Sequence, residues 1–365
     1  MDTADQLETR RQPWLGHASE FTASTWAEAM SAGDESYTHQ LVAPRLLTAR
    51  RDPTWAERTY LSARLAPGLM FDAGRAVYPY RGDAKAFVSV SVPGAQHAVR
   101  AVKAFAPADD PDDPQVGDMR IEVVEPLREL RITHDAPGVP MQVDLRFRAR
   151  GPVVPSDRNI IEVRGEVVTD YMNFYQSGYY EGTIEVDGQR YEIDPVAGFR
   201  DRGWGMRKHE GAPRRGFVLF AALEFGDTAM WLLLYESASG KRHFTNGWLV
   251  GPDGIRDTVT GIDHDLELEG TALRAGTLGL EFASGARRSL DFTVDGRIFL
   301  AAGGYTPRED WPPLGHSRYD TEDPEVVAML DGQNDHGCVC ALDGEPGHGF
   351  VETGFGLHAR YRPES

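Results

Sequence analysis

The sequence predicts an all-β protein made of two antiparallel β-barrel or sandwich units packed side by side. Three observations carry this expectation. In MQVDLRFRAR, Met141, Val143, Leu145 and Phe147 alternate with Gln142, Asp144, Arg146 and Arg148, the period of a strand with one buried and one wet face. Short apolar runs recur between turn residues, and the chain holds 39 glycines and 23 prolines, which suit many turns better than a helical bundle. Its 365 residues exceed the usual reach of a single core. No heptads, solenoid-length repeats or long low-complexity tracts interrupt the pattern.

In chain order, residues 1–40 read as a lead segment. SEFTASTWAEAMSA suggests a short helix with Phe21, Trp26 and Met30 on its apolar side and Ser24 or Thr25 near its start. LLTARRDPTWAERTYLSARL reads as a second helical or irregular piece, interrupted by Pro53. Strands then take over with KAFVSVSV, followed by DMRIEVVE and LRELRITH as two arms of a hairpin split by Pro126. ADDPDDPQVGD, residues 108–118, is an acidic loop without EF-hand spacing. GPVVPSDRN connects onward to IIEVRGEVV and to an aromatic stretch holding Tyr171, Phe174, Tyr175, Tyr179 and Tyr180. Asp187-Gly188 marks a tight hairpin between strands at 182–186 and 190–193. RGFVLFAALEF and TAMWLLLYES, joined at Gly226-Asp227, are nearly continuous apolar runs, so both of their faces are expected to be covered. KRHFTNGWLV pairs with GIRDTVTGI, and CVCALDGEPGHGFVETGFGLHARY supplies two last strands. The expected division is a lead segment to 40, an N-terminal β unit at 41–176 and a C-terminal β unit at 177–365. A junction near 160–205 would suit a small-molecule pocket.

The net charge of -18 argues against a nucleic-acid groove and against attraction to anionic membranes. No apolar run is long enough to insert in a bilayer as a helix. Cys338 and Cys340 are too close in sequence for a structural disulfide, and MDTADQLETRRQPWLGH carries no secretory signal. The expectation is a cytoplasmic protein, its oligomeric state open.

The densest functional chemistry lies in DPVAGFRDRGWGMRKH, residues 194–209. Asp201 between Arg200 and Arg202 is an acid, a base or one arm of an ion-pair latch where two sheets meet. Trp204 between Gly203 and Gly205 offers an apolar face or a corner plug.

GTIEVDGQRYEIDPVAGFRDRGWGMR resembles the hairpin and D-x-x-W-G-x-R signature of the AttH-like, carotenoid 1,2-hydratase (hydroxyneurosporene synthase) superfamily, with Asp201, Trp204, Gly205 and Arg207 filling the pattern. WAERTYLSARLAPGL and VYPYRGDAKAFVSV are similar to the N-terminal half of actinobacterial members. The resemblance implies two lipocalin-like β units with a cavity at their junction. It also implies chemistry of the hydratase or Diels–Alder cyclase kind, although the superfamily includes members without an assigned activity. Members often carry His or Ser just before the Trp, where this chain has Gly203.

The candidate catalytic residues are therefore Asp201, Trp204 and Arg207, the last either binding a substrate carbonyl or being anchored by Asp201. Candidate substrate-binding residues are Tyr175, Tyr179 and Tyr180, which line a pocket or fill a barrel core, with Glu181 and Glu224 as partners of Asp201 or of arginines. Neither a P-loop nor a Gly-x-Ser-x-Gly elbow occurs, and no organic cofactor is expected. His336, Cys338 and Cys340 would share a strand face, with His348 as fourth zinc ligand; buried thiols beside a turn histidine are the competing reading, and no metal is expected. The expected activity is hydration or dehydration, isomerisation or cyclisation (a hydratase or hydro-lyase, isomerase or cyclase) of a small apolar terpenoid- or polyketide-like molecule. The alternative is a lipocalin-like carrier of such a molecule.

Overall fold

The computed structural model describes residues 7–9, 30–39, 53–106, 109–156, 158–163, 166–207, 217–237, 240–269, 272–304, 313–355 and 361. The first unit comprises β1 (Leu7–Thr9), β2 (Trp55–Ala66), β3 (Leu69–Tyr78), β4 (Asp83–Val92), β5 (Ala95–Ala104), β6 (Gln115–Val116), β7 (Met119–Glu125), β8 (Glu129–His134), β9 (Met141–Ala149), β10 (Val154–Pro155), β11 (Asn159–Val163), β12 (Glu166–Val186) and β13 (Gln189–Arg207). The second comprises β14 (Phe217–Phe225), β15 (Thr228–Glu236), β16 (Arg242–Gly251), β17 (Gly254–Glu269), β18 (Ala272–Phe282) and β19 (Arg287–Phe299). After β20 (Gly315–Asp320) and a short helix α1 (Pro324–Leu330), β21 (Gln333–Leu342) and β22 (Glu345–Phe355) complete it. β14–β19, β21 and β22 close into a barrel, whereas β2–β13 form an open, curled sheet whose edge strand β5 is paired by β20. The all-β expectation of two antiparallel units holds. No helix among the described residues is long and apolar enough to cross a membrane.

Three apolar layers follow from strand alternation. Leu61, Phe71, Leu145, Phe147, Tyr180 and Ile184 fill the curl of the first sheet. Leu219, Leu223, Leu232, Leu278, Cys338 and Val351 fill the barrel. Between the units, Tyr60, Tyr175, Phe199, Phe220, Trp231, Trp248 and Phe350 form an aromatic seam. β14 shows why its sequence is continuously apolar: Leu219, Ala221 and Leu223 point into the barrel, while Phe220 and Ala222 point into the seam. The Asp187-Gly188 hairpin is present, both residues having positive φ (51° and 77°) as this turn requires.

Two expectations change, and a third falls mostly outside the described residues. WAERTYLSARLA is the strand β2, buried on both faces; its polar side chains find partners far away, as in Arg202 Nη2–Glu57 Oε2 at 3.0 Å, so the alternation that betrays a half-wet strand is missing. The division at 176/177 falls inside the unbroken β12, and the change of unit comes between Arg207 and Phe217. The helix proposed in SEFTASTWAEAMSA lies outside the described residues up to position 29; Ala32–Glu35 is a single 3-10 turn capped by Ser31.

Candidate functional site

β12, β13 and β2 are adjacent, and their register places Tyr175, Asp201 and Tyr60 side by side across three strands. These side chains face the barrel. With Arg58, Tyr171, Asn173, Phe199 and Arg207 they form one wall of a cavity of about 130 Å³, a volume close to that of engineered cavities that admit benzene. The barrel's outer surface supplies the other wall through Val218, Phe220, Leu233, Tyr235, Phe244, Asn246, Trp248 and Glu352, with Ser156, Leu300 and Gln333 at its margins.

The walls divide by chemistry. Tyr175 is the centre of an aromatic cluster, its ring 5.7–5.9 Å from those of Phe199, Phe220, Trp231 and Trp248. The other part carries Arg58, Asp201, Arg207 and Glu352. The Arg207 guanidinium lies 4.7 Å from the centre of the Tyr171 ring, and its charge acts on the Tyr235 phenol against the upward push of burial. Asp201 keeps some open surface toward the cavity and is otherwise enclosed. Burial pushes its carboxyl up to about 7, with Arg207 opposing the shift and Glu352 reinforcing it. Such a group is a competent proton donor and, once ionised, a competent base near neutral pH. Burial and the Asp201 charge push the Tyr175 phenol up, so it stays neutral.

Asp201, Arg207 and Tyr175 are thus brought together. The other candidates are not. Trp204 is three residues from Asp201 and therefore on the opposite face of β13, packed with Val153 and Phe174 and stacked on His39 at 4.0 Å. Tyr180 also faces away, inside the first core, where its hydroxyl donates to the Phe199 carbonyl at 2.7 Å. Tyr179 shares the face of Tyr175 but lies outside the cavity, 40% exposed. Glu181 pairs with Arg148 at 2.8 Å. Glu224 lies buried between the units, paired with Arg150 at 2.7 Å and accepting from Ser177; burial raises it to about 8 even so. Cys338 and Cys340 lie in the barrel core, whereas His348 turns to the Ala197 carbonyl in the first sheet, so these proposed zinc ligands diverge.

The arginines flanking Asp201 point away from it, as extended backbone demands. Arg200 is bound by Glu35 at 2.6 Å and Gln176 at 2.8 Å, and Arg202 by Glu57 and the Ser36 carbonyl. Gly203 has a steric reason: a Cβ there would lie 2.4 Å from the Tyr171 hydroxyl oxygen. The phenol of Tyr171 thus takes the space that a side chain before Trp204 would fill. Sequence reasoning missed Arg58, Tyr60, Asn246, Trp248 and Glu352, which reach the cavity only through pairings distant in the chain.

Among solved structures, the chain shares the fold of an AttH-type protein from Nitrosomonas europaea, with 14% identity, 87% of this chain and 97% of that one covered, and a TM-score of 0.50. At that identity the likeness shows a shared fold. More distant matches are kievitone hydratase from Nectria haematococca (12% identity, 88% and 97% covered, TM-score 0.47) and CghA with Sch210972 (14%, 96% and 97%, 0.46). No curated protein matches the chain. A family model matches residues 30–297, a span that takes in the whole cavity wall except Leu300, Gln333 and Glu352. By that match the chain belongs to the family of unknown function DUF8625.

Proposed function

We propose that the protein is an acid–base enzyme that needs no organic cofactor and acts on a small, largely apolar molecule bearing a carbonyl or hydroxyl oxygen. The reaction adds or removes water at a carbon–carbon double bond, or isomerises or cyclises across it. The observation that carries this reading is the enclosed Asp201 carboxyl, held near neutrality in a cavity with aromatic rings on one side and Arg207 on the other. Protonating an isolated alkene needs an acid stronger than water, and the resulting positive charge needs shelter that does not trap it. Aromatic faces give that shelter. Arg207 and Tyr235 are donors suited to a substrate oxygen. A pure carrier expects walls with few ionisable groups, and the four charged side chains here weigh against it.

The test is to incubate the protein in D2O with prenylated phenols, acyclic terpenoids and linear polyenes, reading deuterium at carbon, gain or loss of water, or ring closure by mass spectrometry and NMR. With a substrate in hand, Asp201→Asn is expected to lower turnover about a hundredfold, the scale of general acid catalysis. A folded Asp201→Asn protein of full activity removes the acid role. Tight binding of a panel member with no chemical change favours the carrier.

A further inference from the structure

Behind the cavity wall lies a carboxyl group that Asp201 chemistry does not use. Asp335 is fully buried on β21. Its Oδ2 accepts from the Tyr60 hydroxyl at 2.7 Å and from Ser62 at 2.9 Å, while Oδ1 has no hydrogen-bond partner among the described residues. Its direct cross-strand neighbour on β22 is Glu352, which opens onto the cavity and accepts from Gln333. The charged groups that Asp335 faces are Glu352 and Asp72, both acidic. Among the described residues, the cation that acts on Glu352 is Arg207. Burial, then the neighbouring Glu352 charge, push Asp335 up; burial also pushes Glu352 up, against the Gln333 bond and Arg207. Two adjacent desolvated carboxyls resist double ionisation and titrate as a unit.

We propose that Asp335 and Glu352 hold a single proton between them, that Glu352 is a second catalytic acid–base group beside Asp201, and that Asp335 is a positioning residue acting through Glu352 and Tyr60. The proposal rests on the acid–base reading of the cavity. In the hydration direction, the Asp201 carboxyl gives its proton to one alkene carbon, the π pair forming the new C–H bond and leaving the neighbouring carbon cationic. The oxygen of a water molecule bonds to that carbon, and the proton it sheds goes to the Glu352 carboxylate. Alkene and water become alcohol, Asp201 ends ionised and Glu352 protonated, and exchange with water returns the proton. Dehydration is the same path reversed.

The pair can be read without a substrate. In full-length protein labelled with 13C at the Asp or Glu carboxyls, infrared spectra at neutral pH should show a protonated carboxyl band that Glu352→Gln or Asp335→Asn removes and Asp201→Asn leaves in place. Asp335→Asn keeps an acceptor for Tyr60 and takes away the like charge, so Glu352 should titrate lower by about one pH unit or more. On a substrate from the panel, Glu352→Gln should lower kcat about a hundredfold, and Asp335→Asn should move the pH profile while leaving KM alone. Both carboxyls ionised, or both protonated, at neutral pH overturns the shared proton. Full turnover in Glu352→Gln overturns its catalytic role, and if Asp201→Asn is then still inactive, the proposed function survives without it. Should Glu352→Gln not fold, the wild-type spectrum and the Asp335→Asn shift decide the matter.

Discussion

The two faces of β13 handle charge in opposite ways. On one, Arg200 and Arg202 are fully buried and each is matched by a carboxylate, Glu35 and Glu57; His39 and Trp204 cover the remainder. On the other, Asp201 faces a cavity, its charge only partly balanced by Arg207. Burial pushes Glu57 up, but the His39 hydrogen bond and the Arg202 charge more than offset it and leave its carboxyl below the ordinary value. Burial pushes Asp201 up, and Arg207 does not cancel the shift. The Arg200–Glu35 pair ties the sheet to the segment before it, whereas partial matching leaves the Asp201 carboxyl raised to about 7. One strand thus separates matched from partly matched charge by the parity of its residue numbers.

The contrast can be broken most severely at Arg202. Arg202→Met strands the Glu57 carboxylate in the interior and should lower unfolding free energy by about 3–5 kcal/mol, measured by urea denaturation; a change within error would mean that the pair is not a structural clamp. Gly203→Ala comes next. Its methyl meets the Tyr171 phenol, and overpacking of this kind costs about 1–3 kcal/mol, so the melting temperature should fall and ligand binding weaken together.

pH sharpens the comparison. Asp201 has a folded value above its unfolded one, so its contribution to stability is present below about pH 4 and lost as pH rises through about 7. Glu57 is depressed, so its contribution is present above its unfolded value and lost on acidification. Asp201→Asn should therefore flatten the alkaline decline of the melting temperature without changing the acid limb. An unchanged alkaline limb would place the titrating groups elsewhere, Asp72 and Glu224 being the alternatives at about 8. The smallest effect is expected from Trp204→Phe, a change of under about 1.5 kcal/mol in stability with turnover unaltered; a large loss of turnover would return Trp204 to the reaction.

Much of this was legible from alternation alone. Asp201 and Arg207 are six residues apart and share a face, and the same alternation turns Arg200 and Arg202 to the other side. The same rule argues against Trp204 and Tyr180, because odd offsets from Asp201 and Tyr175 put them on the far side; a motif read as a cluster hides that its members alternate. Tyr60 and Glu352 were not legible. Tyr60 sits in a strand where Glu57, Ser62 and Arg64 are paired at long range, and Glu352 approaches Asp201 only because the barrel closes β14 against β22. No local pattern encodes such register.

The strand β20 has a consequence for how the chain is made. Gly315–Asp320 belongs to the stretch between barrel strands β19 and β21, yet it pairs along β5. During synthesis the completed first sheet therefore waits with an unpaired edge while about a hundred further residues, 208–314, leave the ribosome. That edge is open to the wrong partner throughout the interval, so chaperone dependence in expression should centre on β5, and a fragment ending before β14 should aggregate through it.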